Sequence, residues 1–220
     1  MPFYTLSDED LRAVISYLRT IPGEPVDVPA HEFNLLGMAV KAFLIKPMGP
    51  LDVERPKTVK PDTTAAYGDY LANSVSNGAG CHTERDLMTG AFVGPRFAGW
   101  LGMEGNAPGT FFNTPNLTPD PVTRHLRAWD FNAFQARFRA GATFANSPMP
   151  WANFTHFSDD DLKAIWNYLH SLAPVPHETG PLVAEAKGGR IEHRTSNTGS
   201  GSAFTAVFAI HRAQSGITTS

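Results

Sequence analysis

Two segments of the chain repeat one pattern of polar and apolar positions. Residues 7–21 read SDEDLRAVISYLRTI and residues 158–172 read SDDDLKAIWNYLHSL, with the serine, two aspartates, both leucines, the alanine and the tyrosine identical in register. Apolar residues recur three and four positions apart in both segments, which is the spacing of an amphipathic helix. Ser7 and Ser158 precede acidic residues, as is typical of a capped helix start. The pattern therefore predicts two closely similar helices.

A short motif before each segment strengthens the repeat. Met1-Pro2-Phe3 precedes the first predicted helix and Met149-Pro150-Trp151 precedes the second. Two unrelated amphipathic helices are the alternative, because acid-capped helices are common. The shared motif favours homology, and residues 1–27 are then expected to be the C-terminal remnant of a domain like the one that contains the second helix.

Composition limits the chemistry that the chain can carry. Its 220 residues include 18 Lys plus Arg and 21 Asp plus Glu, giving a net charge of −3, so nothing in the charge balance points to nucleic acid. The single cysteine, Cys81, excludes an internal disulfide, a four-cysteine zinc site and an iron–sulfur cluster held by thiolates. The longest apolar stretch, residues 35–45, is shorter than a membrane-spanning helix, and no signal peptide is recognisable. We therefore expect a soluble chain.

The cysteine is followed directly by a histidine. Residues 77–83 read NGAGCHT, and residues 65–75 before them have apolar positions at helical spacing. Taken alone, adjacent Cys and His residues are more often an ordinary pair than a ligand site. The preceding helix, Gly94-Pro95 after a short loop and Met149-Pro150 before the second repeat helix together favour a ligand site.

An ordered set of stretches resembles the c-type cytochromes, whose haem attachment motif is Cys-x-x-Cys-His. The set is similar to the multi-haem cytochrome subunits of membrane-associated bacterial dehydrogenases for alcohols, sugars and sugar acids. The matching stretches are, in chain order, YGDYLANSVSNGAGCHT, GPRF, PNLTPD, FNAFQARFRAG, MPW and SDDDLKAIWNYLHSL.

The resemblance implies an all-α fold with a cytochrome c-like helical domain at residues 63–177. Before it, residues 28–62 are expected to form a linker with one helix, and residues 1–27 the remnant of a second such domain. Residues 178–220 are rich in Gly, Ser and Thr and match nothing in the family pattern. They are predicted to form a disordered tail.

The resemblance also implies a haem site. In it Cys81 forms the covalent link to the haem, and His82 and Met149 bind the iron from opposite faces. Such a pair keeps the iron low-spin, so that gain or loss of one electron changes the geometry little. A ligating histidine usually donates its other ring N–H to a carbonyl, and Pro95 occupies the family position that supplies this carbonyl.

Two features of the predicted site leave alternatives open. Met88 and Met103 are rivals of Met149 as the distal ligand, although neither has the proline-aromatic context that is repeated at residue 1. Gly78 stands where the family pattern has its first cysteine. Only Cys81 can form a thioether, so we expect one haem c with single-thioether attachment.

Electron transfer is the function that the resemblance implies. The chain would relay electrons from a dehydrogenase catalytic subunit or other redox protein towards quinone or another cytochrome, with no substrate chemistry of its own. Nucleic acid is not an expected partner, and membrane association is expected only through partners. The family is found in the periplasm or at the outer face of the cytoplasmic membrane. The alternatives are a degenerate haem-free docking domain, which Gly78 favours, and a haem enzyme such as a peroxidase, which needs an open distal position.

Overall fold

The computed structural model describes residues 3–23, 25–44, 54–87 and 89–184, which all lie within one unit of internal contacts, Met1–Ala186. The elements in chain order are α1 (Asp8–Leu18), α2 (Leu35–Phe43), α3 (Ala65–Tyr70), α4 (Gly78–Cys81), β1 (Trp100–Glu104), β2 (Phe111–Thr114), α5 (Phe131–Arg139), α6 (Trp151–Phe154), α7 (Asp159–Ser171) and β3 (Val183–Ala184). A π-helical turn, Leu71–Val75, continues α3.

Both repeat helices begin at the predicted serines. The Ser7 side chain accepts a hydrogen bond from the backbone N–H of Asp10, and the Ser158 side chain accepts one from Asp161. The Asp161 carboxylate in turn accepts from the backbone N–H of Ser158, which completes a capping box. The predicted caps and the helical character of both segments are therefore confirmed.

The crossing of α3 over α7 is the centre of the core. Gly68 is buried at this crossing, where a Cβ atom would overlap the backbone carbonyl of Ala164, so the close approach of the two helices requires glycine. The buried apolar core consists of Leu71, Ala72, Ala79, Phe97, Leu126, Phe134, Phe138, Leu162, Ala164, Ile165 and Leu169. Because Ala79 belongs to this core, the core also fixes α4, which carries Cys81.

The prediction of an all-α fold is wrong, because the chain contains a three-stranded antiparallel sheet of order β1-β2-β3. Gly102, Gly105, Pro108 and Gly109 interrupt the segment that forms the first two strands at intervals too short for a helix. In β2 every second residue is buried, as expected for a strand with one face on the protein. The backbone of this segment satisfies its hydrogen bonds by strand pairing instead.

Part of the segment predicted as a tail belongs to the sheet. Thr179 is buried, and Phe111 and Phe112 pair in register with Ala184 and Val183. The rest of the predicted tail, residues 185–220, lies outside the described residues.

The first two helices lie at the surface. The α2 helix falls within the predicted linker, and its side chains Leu35, Leu36 and Phe43 are exposed. At the start of α1, the backbone N–H of Ser7 donates to the phenol oxygen of Tyr70 in α3 at 3.0 Å. Among the described residues, none of the helices combines the length and apolar character needed to cross a membrane.

Candidate functional site around Cys81 and His82

A short, partly buried helical turn carries the Cys-His pair. After the π-helical turn that follows α3, Asn77 adopts a left-handed backbone conformation with φ 53°, and α4 begins at the next residue. Asparagine tolerates this conformation better than most residues. Ala79 is buried against the core, while Cys81 and His82 are partly buried at the end of the turn. The core therefore fixes the backbone of the pair and leaves part of each side chain accessible.

The imidazole of His82 is held in one orientation by a backbone carbonyl. Its Nδ1 lies 3.2 Å from the carbonyl oxygen of Pro115. A carbonyl oxygen only accepts hydrogen bonds, so Nδ1 carries the ring proton and Nε2 keeps its lone pair. Burial lowers the pKa of His82 to about 4, although the Pro115 carbonyl acts in the opposite direction. At neutral pH the ring is therefore the uncharged form that binds metal ions.

The structure gives the carbonyl contact to a different proline from the one predicted. The carbonyl of Pro95 accepts from the backbone N–H of Ala98 at 3.2 Å, and Pro95 itself is exposed. Pro115 lies in the stretch PNLTPD, which the resemblance includes without assigning a role to its first residue. The spacing of the sequence carried no signal that could have chosen Pro115, because the contact joins residues 33 positions apart.

A network of buried polar side chains holds the loop that contains Pro115. Asn116 is fully buried, and its amide donates to the carbonyl of Val175 at 2.8 Å. The amide oxygen of Asn116 accepts from both the backbone and the hydroxyl of Thr118. Leu117 donates its backbone N–H to Phe97 at 2.8 Å. These bonds tie the loop to the core and to the segment after α7, so the acceptor of His82 is rigidly placed.

Cys81 is a free thiol beside this histidine. Burial raises the pKa of the Cys81 thiol, and the nearby positive charge of Arg85 opposes that shift. The side chain is therefore a neutral thiol at pH 7. A thiol that keeps its proton is a poor metal ligand, so this state argues against Cys81 as a thiolate ligand.

Gly78 leaves little room for the cysteine of the family motif. A Cβ at this position would lie 2.9 Å from the carbonyl oxygen of Ala72 and 3.3 Å from Cε1 of Phe97. The first distance is shorter than real Cβ contacts, so either the π-helical turn or α4 would have to move. The backbone around Gly78 is therefore packed for glycine.

Met149 packs against the buried core. It is partly buried, and the residue two positions later, Trp151, meets Phe138 edge-to-face with ring centroids 5.7 Å apart. The guanidinium of Arg137 stacks on the Trp151 ring at 3.6 Å from its centroid. The Trp151 backbone N–H donates to the carbonyl of Met149 at 2.8 Å, which fixes the turn.

The charge of His125 acts on His82, and the charge of Arg137 acts on His125. Besides burial, which is the largest cause, the charge of His125 lowers the pKa of His82. Burial and then the charge of Arg137 lower the pKa of His125. His125 thus lies within electrostatic range of both His82 and Arg137, and Arg137 stacks on Trp151.

The rival methionines are placed differently. Met103 lies in β1 and is partly buried there, in register with Phe112 of β2. Met88 lies outside the described residues.

The residues present fit the ligation of a haem, except at Gly78. His82 offers a neutral Nε2, Cys81 offers a thiol directly before it, and Met149 offers a partly buried thioether. In the described ranges no three His, Cys, Asp or Glu side chains group together as a metal-binding cluster. A haem iron takes only two ligands from the protein. The absence of such a cluster in the described ranges therefore argues only against metal sites built from three or more of these side chains.

Comparison with known proteins finds that the chain is similar to cytochrome c subunits of dehydrogenases. No protein-family model matches it. The chain is 29% identical over 201 residues to the cytochrome c subunit of alcohol dehydrogenase (quinone) from Gluconacetobacter polyoxogenes, covering 81% of this chain and 40% of the relative. It is 31% identical over 119 residues to the cytochrome c subunit of gluconate 2-dehydrogenase from Pantoea cypripedii, covering 52% of this chain and 24% of the relative.

A further relative is the cytochrome c subunit of alcohol dehydrogenase (quinone) from Gluconobacter oxydans, 33% identical over 113 residues, with 49% of this chain and 21% of the relative covered. The chain thus resembles the cytochrome c subunits of alcohol and gluconate dehydrogenases, as the sequence motifs predicted. It spans about two fifths of the length of the alcohol dehydrogenase subunit from Gluconacetobacter polyoxogenes.

Proposed function

We propose that this chain is an electron carrier that binds one haem c, with Cys81 as its single thioether anchor and His82 and Met149 as the axial ligands of the iron. The proposal rests on the orientation and the protonation of the His82 ring. Its Nδ1 is engaged by the Pro115 carbonyl, and its ring is uncharged at neutral pH, which leaves Nε2 free for a metal.

Each proposed ligand has a defined task. A bound haem supplies reversible one-electron redox chemistry. His82 would bind iron through Nε2, and its contact with the Pro115 carbonyl fixes the orientation of the ring. The thioether of Met149 is a soft ligand that favours the reduced iron and raises the reduction potential. Cys81 would tether the group through a thioether and so prevent its loss.

The proposed partner is the catalytic subunit of a dehydrogenase or another redox protein. The similarity to cytochrome c subunits of alcohol and gluconate dehydrogenases supports such a role. In this scheme the chain receives electrons from the dehydrogenase and passes them towards quinone or another cytochrome. We place it in the periplasm or at the outer face of the cytoplasmic membrane, in contact with the membrane only through partners.

Spectroelectrochemical titration of the purified, haem-loaded chain tests the proposed electron transfer. We expect a single reversible one-electron transition with a low-spin spectrum in both oxidation states, because histidine and methionine together fill both axial positions. A chain that carries haem but shows no reversible transition, or binds oxygen or peroxide at a high-spin iron, contradicts the proposal.

A haem-free docking domain is the second candidate function, and one observation favours it. Gly78 stands where the motif has its first cysteine, so any attachment relies on Cys81 alone. Denaturing gel electrophoresis with haem staining, after co-expression with cytochrome maturation proteins, separates the two candidates. The electron-carrier proposal predicts a haem-staining band that Cys81→Ser abolishes. A folded, soluble chain with no stain supports the docking domain instead.

A further inference from the structure

The C-terminal end of α7 meets the loop before α5 at a small cluster of one aromatic and two basic side chains. His170 is exposed in the last turn of α7, and its ring packs on that of Trp166 with centroids 4.0 Å apart. Arg124, from the loop, places its guanidinium 5.7 Å from the centroid of the same indole. Its Nη2 donates a hydrogen bond to Nε2 of His170. The cluster therefore joins residues that are 46 positions apart in the chain.

Hydrogen bonding fixes the protonation state in which the contact between Arg124 and His170 can exist. Nδ1 of His170 lies 2.8 Å from the carbonyl oxygen of Trp166, and a carbonyl oxygen only accepts, so Nδ1 carries the ring proton. A guanidinium only donates, so Nε2 must be the unprotonated acceptor. The bond from Arg124 therefore exists only while the imidazole is neutral. A proton added to Nε2 turns this acceptor into a donor that faces another donor.

The charges around His170 also oppose its protonation. Arg124 from the loop and Lys163 of α7 itself are the charged groups that act on its ring, and both are positive. Desolvation of the packed ring lowers the pKa of His170 most, the two charges lower it further, and the Trp166 carbonyl acts in the opposite direction. The ring is therefore neutral at pH 7. It becomes the third positive charge of the cluster only below the ordinary histidine value of about 6.5.

The guanidinium of Arg124 depends on His170, whereas the rest of the loop is held independently. Within the part of the chain that the structure describes, Nε of Arg124 is buried without a hydrogen-bond acceptor, and His170 is the side chain to which its guanidinium donates. The hydroxyl of Thr123 accepts from the amide of Asn116 at 2.9 Å, and Leu126 is buried in the core. Protonation of His170 therefore acts on this junction without unfolding the loop.

We propose that His170 and Arg124 form a pH-sensitive switch that fastens the loop before α5 to the end of α7 at neutral pH and releases it in acid. When His170 gains its proton, repulsion between like charges replaces the hydrogen bond, and the last turn of α7 loses its contact with the loop. The proposal does not depend on haem binding.

A double-mutant cycle at two pH values tests the switch on the full, haem-free chain. Urea midpoints are measured for the parent, Arg124→Ala, His170→Ala and the double variant at about pH 5 and about pH 7.5. At the higher pH, we expect Arg124→Ala to lower the midpoint of the parent, and to lower that of His170→Ala by less than about half as much. At the lower pH, Arg124→Ala should leave the midpoint of the parent unchanged or raise it, because the substitution removes a positive charge beside the imidazolium.

Two further variants separate the switch from general effects of acid. His170→Gln keeps an uncharged acceptor that does not titrate, so Arg124→Ala should lower the midpoint in this background at both pH values. Arg127→Ala removes an exposed guanidinium of the same loop, which donates to the carbonyl of Val122 at 3.2 Å. Its effect should be the same whether or not His170 is present.

Results of two kinds would overturn the proposal. Equal effects of Arg124→Ala in the parent and in His170→Ala at the higher pH would mean that the two side chains are not coupled. An effect of Arg124→Ala that is the same at both pH values in the parent, or that disappears in acid in the His170→Gln background, would show that His170 is not the group that senses pH.

Discussion

The low-spin character of the proposed centre depends on the thioether of Met149. Met149→Ala should convert the low-spin spectrum of the haem-loaded chain into a high-spin one, because alanine cannot fill the sixth iron position. The absorption spectrum in both oxidation states is the measurement. Met103→Ala removes a partly buried methionine of β1 and is the matched control, for which we expect an unchanged spectrum. An unchanged spectrum in Met149→Ala and a changed one in Met103→Ala would reverse the ligand assignment.

Substitution of Gly78 tests whether the backbone of the site has room for a side chain at this position. Gly78→Ala should lower the free energy of unfolding by about 1–3 kcal/mol, because the new Cβ would lie 2.9 Å from the Ala72 carbonyl oxygen. Urea unfolding of the haem-free chain is the measurement. Gly23→Ala places its Cβ in open space and should change stability by less than about 0.5 kcal/mol. Equal effects of the two substitutions would show that α4 adjusts freely.

Features that depend on residues close together in the sequence could be predicted, whereas contacts between residues far apart in the sequence could not. The Cys81-His82 pair and the serine caps could be recognised because they depend on neighbours within a few positions. The acceptor of His82 could not. Pro115 reaches the imidazole only because Asn116 and Thr118 tie its loop to the segment after α7, and one sequence does not encode that path in its spacing.

The crossing of α3 and α7 lies at the centre of the core. Gly68→Ala should lower the free energy of unfolding by about 3 kcal/mol or more, because the added Cβ would overlap the Ala164 carbonyl and approach Cβ of Tyr168 to 2.8 Å. The urea midpoint is the measurement. Gly23→Ala, whose Cβ meets open space, is the control and should change stability by less than about 0.5 kcal/mol. A small effect at Gly68 would mean that the helices separate without cost.

The same interface predicts a loss of stability in alkali. Burial, followed by the charge of Asp161, raises the pKa of Tyr67 to about 12, above the value near 10 of an unfolded tyrosine. The folded chain therefore holds this proton more tightly, so the stabilisation is complete below about pH 10 and is lost as the pH rises towards 12.

The urea midpoint measured from pH 9 to 12 tests this dependence. The stability advantage of the parent chain over Tyr67→Phe should shrink across that range. Tyr17→Phe, which alters an exposed tyrosine of α1, should follow the parent at every pH. A constant difference between the parent and Tyr67→Phe would contradict the prediction.

The helices were more predictable than the sheet for a physical reason. The caps and apolar stripes of α1 and α7 lie within single segments, so their periodicity can be recognised directly. The strands are short, and β2 becomes a central strand only because β3 pairs with it from about 70 positions later in the chain. The glycines between the first two strands disfavour a helix there, but the expected fold was all-α and no local signal identifies the partner strand.

The molecule combines a buried core with two helices, α1 and α2, that expose apolar residues. The core around Gly68 and Phe138 fixes both segments of the proposed haem site. In contrast, α1 and α2 expose apolar residues such as Leu18 and Leu35. The start of α1 is tied to the domain, because the backbone N–H of Ser7 donates to the Tyr70 hydroxyl oxygen and that of Asp8 to the Pro56 carbonyl.

Intact-protein mass spectrometry of the chain co-expressed with cytochrome maturation proteins tests whether Cys81 carries a covalent haem. We expect a chain heavier by the mass of one haem under denaturing conditions, with the modification mapped to Cys81 in the proteolytic digest. Cys81→Ser should return the mass to that of the unmodified chain. A folded parent chain without any haem adduct, or with haem attached at a residue other than Cys81, would contradict it.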